Sequence, residues 1–544
     1  MSTAIAPATH VMNGAQALFK ALIDAGLDTC FANPGTSEMQ LVYEIGLTEG
    51  VRAVLCLQEN TVTGAADGYA RMAGKPAFTL LHVGSGFANG IANLHNAGRA
   101  HTTMVNIVGA NATYHQPRFP AHELINGRIV DLARVVSHWA QEARSAGDLA
   151  VLGALATRYS QLGAGKICTV VAPTNCHWEP AVAPPEPGGP METPRVSPHT
   201  IDDVAALLAN GKKTGLVLGS RMLYGEGLEL AGCIAAKTGA TLLAEFGTSR
   251  FARGEGRVPV ERIPYLLERA LRLLAPYEQL ILVGAPFPVA TFAYKDKAVV
   301  KVPEGCQVST LATVEHDLLA AMTDLAAAVN ALSEPAERQS RWEPAIPAGA
   351  LTGEAIGDSI CLLMPENAIL VDEGITNGAT VYYRTQGARA HDYLQAACGG
   401  AIGAGLPVAL GAAVACPSRK TIVIEGDGSA MYTVQALWSM AREKADVVVV
   451  LLRNDSYAIL EVELARVREG DANSKMLSMM HLDNPVIDWV KLAEGQGIPA
   501  TRATTAAEFH EQFAEALGHK GPSFIEAQVA QKTQAIVDEV RKSK

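Results

Sequence analysis

Two apolar runs near the carboxyl end of this chain each stop at a polar cluster. Thr421-Ile422-Val423-Ile424 runs into Glu425-Gly426-Asp427-Gly428-Ser429, and Val447 to Leu452 runs into Arg453-Asn454-Asp455-Ser456. Short runs of β-branched and aliphatic residues are the pattern of strands buried on both faces. Between them, Ala430 to Glu443 carries Met431, Val434, Leu437, Trp438 and Ala441 at helical spacing. Strand, helix and strand in that order make a crossover in a parallel sheet. The crossover delivers Asp427 and Asn454 to one sheet edge, the carboxyl edge where such sheets bind ligands.

A carboxylate, an amide oxygen and a backbone carbonyl are hard ligands suited to Mg²⁺ that also holds a diphosphate. Glycines let the backbone approach phosphate, and the start of the following helix favours an anion. A bare Gly-Asp-Gly is often only a turn. After a buried strand, and answered by an Asn at the end of the next, it predicts a metal-anchored diphosphate.

The 544 residues are enough for three or four domains. Apolar residues make up 49% and charged residues 18%, so a large core is available. A net charge of −11 argues against nucleic acid or an anionic membrane as partner. No apolar run reaches the roughly 20 residues of a membrane span. Met1 to His10 lacks the basic and apolar regions of a signal peptide. Nine cysteines without a C-x-x-C pair read as free thiols in a reducing compartment. The expectation is a cytoplasmic protein.

Two Pro-rich stretches, Ala181 to Pro198 and Ser333 to Ala350, read as linkers. They predict domains at 1–182, 196–333 and 350–544. The first alternates helical patterns with apolar runs at Thr29 to Ala32, Ala53 to Leu57, Phe78 to His82, Val105 to Gly109 and Ile167 to Ala172. The second has runs at Gly215 to Gly219, Thr241 to Glu245, Leu280 to Gly284 and Val299 to Val302. The third adds Ile369 to Asp372 and Phe524 to Ala527 to the two runs above. The fold class is therefore α/β, with three doubly wound parallel sheets.

A second constellation lies in the first block. Gln58-Glu59-Asn60 follows a strand and opens a helix, Thr61 to Met72, containing Ala65-Ala66-Asp67-Gly68-Tyr69-Ala70. Glu59 reads either as a helix N-terminal acid favoured by the dipole or as a partly desolvated acid that carries a proton. Asn33-Pro34-Gly35-Thr36 is a turn at a strand end, and His82 ends another strand. His82 is either structural or a proton-transfer group. Ala397 to Pro407 is Gly-rich, which suits close helix packing or a ligand loop. His101 and His115 flank the Val105 to Gly109 strand, and either could reach a site built from strand-end loops. Asp67 reads as a structural hydrogen-bonder.

Together these motifs resemble the thiamine-diphosphate (ThDP) enzymes of the benzoylformate decarboxylase and acetolactate synthase superfamily, over nearly the whole chain. Their motif is GDG followed, after a helix and a strand, by an Asn pair; here Asn454 keeps the second position and Arg453 stands at the first. The three blocks become pyrimidine-binding, middle and diphosphate-binding domains. The resemblance implies that Asp427, Asn454 and the carbonyl of Ser456 bind Mg²⁺. Thr376, Gly428, Ser429 and Tyr457 join the diphosphate side. Glu59 would bond the cofactor aminopyrimidine and promote its imino form. Ile402 would wedge the cofactor into a bent shape, with the carbonyl near Gly400 accepting from its amino group. Thr36 would face the substrate carboxylate, and His82 would relay protons. The implied reaction is 2-oxo acid decarboxylation or carboligation through a C2 ylid and an enamine.

The departures also count. The decarboxylase has a second active-site His after a middle-domain G-A-P, whereas Gly284-Ala285-Pro286 is followed by Phe287 to Phe292 without one. Glu461 and Glu463 stand where that enzyme has larger apolar groups, which puts a simple benzoyl pocket in doubt. Gly219-Ser220-Arg221 is followed by Met222-Leu223-Tyr224, unlike the FAD-binding members, so FAD is not expected. The other readings are an acetolactate-synthase-like enzyme joining two 2-oxo acids without FAD, a C–C lyase of 2-hydroxy ketones, a 1,2-dione hydrolase, and a relative that has lost catalysis. Glu59 and Asp427 lie in different domains, and the resemblance implies a homodimer or homotetramer with sites between subunits.

Overall fold

The computed structural model describes residues 12–181, 188–189, 191–467, 472–529 and 533–542. Met1 to His10, and residues 182–187 and 190 of the first Pro-rich stretch, lie outside the described residues. Ser333 to Ala350 contains neither helix nor strand.

The first sheet has strands β1 (Thr29–Asn33), β2 (Arg52–Leu55), β3 (Ala77–Leu81), β4 (Met104–Ala110), β5 (Trp139–Glu142) and β6 (Ile167–Pro173). They pair in parallel in the order β2-β1-β3-β4-β6-β5. The order reverses direction around β1 and β3, the topological switch point. Met12 pairs with Ala181 and closes the block's ends.

The second sheet begins with β7 (Thr214–Leu218) and β8 (Thr241–Ala244). The next strand, β9 (Phe251–Arg253), leaves it and pairs antiparallel with the edge of the third sheet. The sheet resumes with β10 (Glu261–Arg262), β11 (Gln279–Val283) and β12 (Gln307–Ala312), in the order β10-β8-β7-β11-β12. The expected strand at Val299 to Val302 does not form. Val300 makes only an isolated bridge to Val289, and Val299 is exposed. Gln307–Ala312 takes the edge position instead.

The third sheet holds β13 (Ala368–Glu373), β14 (His391–Gln395), β15 (Thr421–Gly426), β16 (Val447–Arg453), β17 (Ala500–Ala503) and β18 (Ser523–Gln528). Its order is β9-β14-β13-β15-β16-β18-β17, parallel except for β9. The helix expected over Ala430 to Glu443 is broken. A single turn, Asp427–Ala430, is followed by non-helical residues, and the helix proper spans Ala436–Glu443.

Two helices join the first and third sheets. Helix α1 (Glu59–Ala73) is buried from Glu59 to Met72. Between them in the chain lies α2 (Ile91–Arg99), and α1 itself packs on α3 (Gly405–Ala415). The α1 and α3 backbones touch. A Cβ on Gly68 would fall 2.0 Å from Val408 O, and one on Gly411 would fall 1.8 Å from Ala65 O. Val62, Ala65, Ala66, Leu406, Val408 and Ala409 share one apolar core.

Candidate active site

Asp427 stands at the carboxyl end of β15, 3% exposed. Its Oδ1 accepts from Gly428 N at 2.9 Å, and its Oδ2 accepts from Asn454 N at 3.1 Å and Asp455 N at 2.7 Å. Burial raises the pKa of this carboxyl, and the three N–H donors oppose the rise. Asn454 Oδ1 accepts from Ser456 N at 3.0 Å. The two strand ends are therefore one structure, and oxygens of Asp427, Asn454 and Ser456 could hold a hard cation. Arg453, at the first position of the Asn pair, grips Asp455 at 2.8 Å and Glu526 at 2.7 Å. Tyr457 lies on Gly428, where a Cβ would come 2.4 Å from its ring. Ser429 is buried beside them.

The Gly-rich segment is a loop that ends where α3 begins. Gly400 (φ +85°) and Gly403 (φ +92°) take the left-handed backbone that only glycine adopts without strain. Ile402 is half-buried and Gly400 exposed. Glu373, at the end of β13, accepts from Gly403 N (3.0 Å), Ala404 N (2.9 Å) and Gly405 N (2.6 Å). Glu425 faces the same spot, since a Cβ on Gly405 would lie 2.0 Å from its Oε2. Burial holds the Glu373 carboxyl up at about 7, and burial together with Glu373 pushes Glu425 well above the usual carboxylate range. Thr376 sits half-buried in the first turn of the helix Ile375–Arg384.

In the first block, Thr36 opens the turn Thr36–Glu38 after β1 and is exposed. Glu38 is fully buried. Its Oε2 accepts from Gly35 N at 2.8 Å and lies 2.8 Å from His82 Nδ1. A carboxylate there keeps the Nδ1 proton in place and leaves Nε2 for exchange. A Cβ on Gly35 would fall 2.2 Å from His82 Nδ1, so glycine is required for the turn to meet the imidazole. The His122 ring stands edge-on to His82, with centroids 5.2 Å apart. Glu59 is the first residue of α1, 8% exposed, and Gln58 caps the helix through Thr61 N. Glu59 Oε2 accepts from Asn89 Nδ2 at 3.1 Å. A Cβ on Gly86 would lie 2.8 Å from Glu59 Oε1 and 3.1 Å from His82 Cβ, which brings those two side chains together.

The other candidates separate. His101 precedes β4, at the opposite sheet edge from His82; burial pushes its imidazole down to about 4, with His138 adding to the effect. His115 is exposed on the loop after β4. Asp67 is structural, bonded to Arg71 at 2.5 Å and to Thr102 at 2.5 Å. Glu461 joins the third-block site, accepting from Ser456 Oγ at 2.5 Å, with His481 at 3.4 Å. Glu463 faces Arg466, which in turn holds Glu268.

Glu38, Asn89, His122 and the Glu373–Glu425 pair are absent from the sequence reading. Only Glu38 carried a local signal, since a Glu three residues after a helix-start residue fits a capping box.

Residues 12–133 match the model for the thiamine pyrophosphate enzyme N-terminal TPP binding domain, and residues 374–527 match its C-terminal TPP binding domain. The chain belongs to the thiamine pyrophosphate enzyme family. A Mycobacterium tuberculosis protein provisionally named acetolactate synthase large subunit IlvX is 42% identical over 95% of this chain and 99% of its own. Benzoylformate decarboxylase of Pseudomonas aeruginosa is 28% identical over 92% of this chain and 96% of its own. The ThDP-dependent 4-hydroxybenzoylformate decarboxylase of Rhodococcus jostii RHA1 superposes with a TM-score of 0.81 at 25% identity, covering 96% of this chain and all of that one.

Proposed function

We propose that this chain is a ThDP- and Mg²⁺-dependent enzyme that decarboxylates a 2-oxo acid and releases an aldehyde or passes the acyl unit to a second carbonyl. The carrying observation is the Glu38–His82 pair beside Glu59. A carboxylate-held imidazole and a buried acid sit at one strand edge, in a block that matches the N-terminal TPP binding domain.

The residues present fit the cofactor. Asp427, Asn454 and Ser456 offer oxygens only, the donor set for Mg²⁺ bridging a diphosphate. The open face of Gly400, where a Cβ would meet nothing within 4 Å, leaves room for a ring against the loop. Bound ThDP supplies a carbon nucleophile and an electron sink for the carbon that loses CO₂. Glu59 holds a proton at the pyrimidine edge. His82, oriented by Glu38, exchanges a proton at Nε2. Thr36 offers a hydroxyl to the substrate carboxylate, and Ile402 keeps the cofactor bent.

Glu245 Oε1 would lie 2.6 Å from a Cβ on Gly219, so an acid crowds the Gly219-Ser220-Arg221 loop, which supports a reading without FAD. The helix Met39–Leu47 leaves Met39, Tyr43 and Leu47 half or more exposed along one face, which supports a homodimer or homotetramer with sites between subunits. All nine cysteines are free, in keeping with a cytoplasmic setting. Among the described residues, no helix is long and apolar enough to cross a membrane.

The name of the 42% relative favours a second reading, the joining of two 2-oxo acids. Incubating the protein with ThDP, Mg²⁺ and a panel of 2-oxo acids, and following CO₂ and products together, separates the two. Aldehyde as the main product supports the first, and a hydroxy-oxo acid supports the second. No CO₂ from any substrate with ThDP bound contradicts both.

A further inference from the structure

The loop 399–403 is bonded across the block boundary by one helix, α2. Asn96 uses both ends of its amide on it. Oδ1 accepts from Gly399 N at 3.0 Å and Ala401 N at 3.2 Å, and Nδ2 donates to Ala401 O at 2.7 Å. Asn93 Nδ2 donates to Gly403 O at 3.1 Å and to Asn60 O at 2.9 Å, while Asn93 N donates to Asn60 Oδ1 at 2.8 Å. Asn96 Nδ2 also reaches Asn93 Oδ1 at 2.9 Å, and His95 Nε2 lies 3.0 Å from Gly399 O.

Both asparagines are essentially fully buried. Buried amides cost free energy unless each bond is made, so apolar packing alone would serve a plain contact better. What they secure is specific. The loop carries two left-handed glycines and the half-buried Ile402, and Asn60 is the neighbour of Glu59. Asp427 is held separately, by the N–H groups of residues 428, 454 and 455.

We infer that Asn93 and Asn96 are positioning residues that hold the Gly400–Ile402–Gly403 turn in register with the first turn of α1, where Glu59 stands. The inference rests on the ThDP reading above and adds a division of labour. The metal and diphosphate end retains the cofactor, and this amide network sets its activation.

The test uses the full chain with ThDP and Mg²⁺ and compares Asn93→Ala and Asn96→Ala with wild type. ThDP affinity is read by fluorescence quenching, and activation by exchange of the thiazolium C2 proton with D₂O at saturating cofactor. Exchange should slow at least ~10-fold, since small misplacements of reacting groups cost that much or more, while ThDP affinity stays within ~3-fold. Asn96→Asp keeps the acceptor for the two N–H groups and should slow exchange less than Asn96→Ala; it serves alone if the alanine variants do not fold. Wild-type exchange in saturated variants, with only thermal stability lowered, would overturn the inference. A wild-type protein that does not bind ThDP would overturn the ThDP reading as well, and shows itself before any variant is made.

Discussion

One oxygen of Glu38 lies 2.8 Å from His82 Nδ1 and 2.8 Å from Gly35 N. A single buried carboxylate thus fixes both the imidazole and the turn that presents Thr36. Glu38→Gln keeps the shape but no longer dictates which ring nitrogen carries the proton. We expect kcat to fall ~10–100-fold with KM little changed, the usual cost of losing the partner that orients a functional histidine. Steady-state kinetics on the two proteins check this. Equal kcat would mean that His82 takes no part in proton transfer.

Glu59 opens α1 with its carboxyl held by Asn89 and facing Gly86. Glu59→Gln preserves the helix and its Gln58 cap but removes the acid. Turnover should drop at least ~100-fold, within the range for losing an acid–base group, while the circular dichroism spectrum is unchanged. A variant with undiminished turnover would leave Glu59 with only a helix N-terminal role.

The α1–α3 crossing depends on missing side chains. Gly411→Ala would place a Cβ 1.8 Å from the backbone oxygen of Ala65, and neither backbone can yield without moving a helix. A loss of about 3 kcal/mol is expected from such overpacking. Gly46→Ala is the control. It lies in the helix Met39–Leu47 with nothing within 4 Å of a new Cβ, and should gain about 0.5–1 kcal/mol. Denaturant midpoints of the two variants should therefore move in opposite directions.

Burial pushes the imidazoles of His177 and His391 down, to about 4 and about 3, with the Arg253 charge adding to the effect at His391. Both folded-state values lie below the ordinary 6.5, so on acidification the unfolded chain takes up these protons first. Their contribution is full above about pH 6.5 and is lost as pH falls toward 4, by up to about 1.4 kcal/mol per pH unit for each histidine. His177→Phe should flatten the dependence of stability on pH between 6.5 and 4.5 by close to one proton. An unchanged slope would show that His177 is not neutral in the fold.

Much of this was legible in the sequence because buried parallel strands are written as uninterrupted apolar runs. Thr421 to Ile424 and Val447 to Leu452 are such strands, and the strand ends carry Asp427 and Asn454 as expected. The strands that escaped notice are polar. His391–Gln395 reads as His-Asp-Tyr-Leu-Gln, and its His and Asp are buried through Arg389 O, Arg250 and Arg419. Val299 to Val302 misled in the other direction, being apolar yet exposed beside Pro303. The pairing of Glu38 with His82 joins residues 44 positions apart, through a parallel register no local pattern encodes. Asn96 was hidden for the same reason, since its partners lie more than 300 residues away.

The central claim is that this chain uses ThDP and Mg²⁺ to release CO₂ from a 2-oxo acid. The most direct measurement is CO₂ release from a 2-oxo acid panel, with and without ThDP and Mg²⁺, for wild type and Glu59→Gln side by side. The account predicts release that requires both cofactors and nearly vanishes in the variant. CO₂ that forms equally without ThDP or with Glu59→Gln, or none from any acid while ThDP is bound, would contradict it.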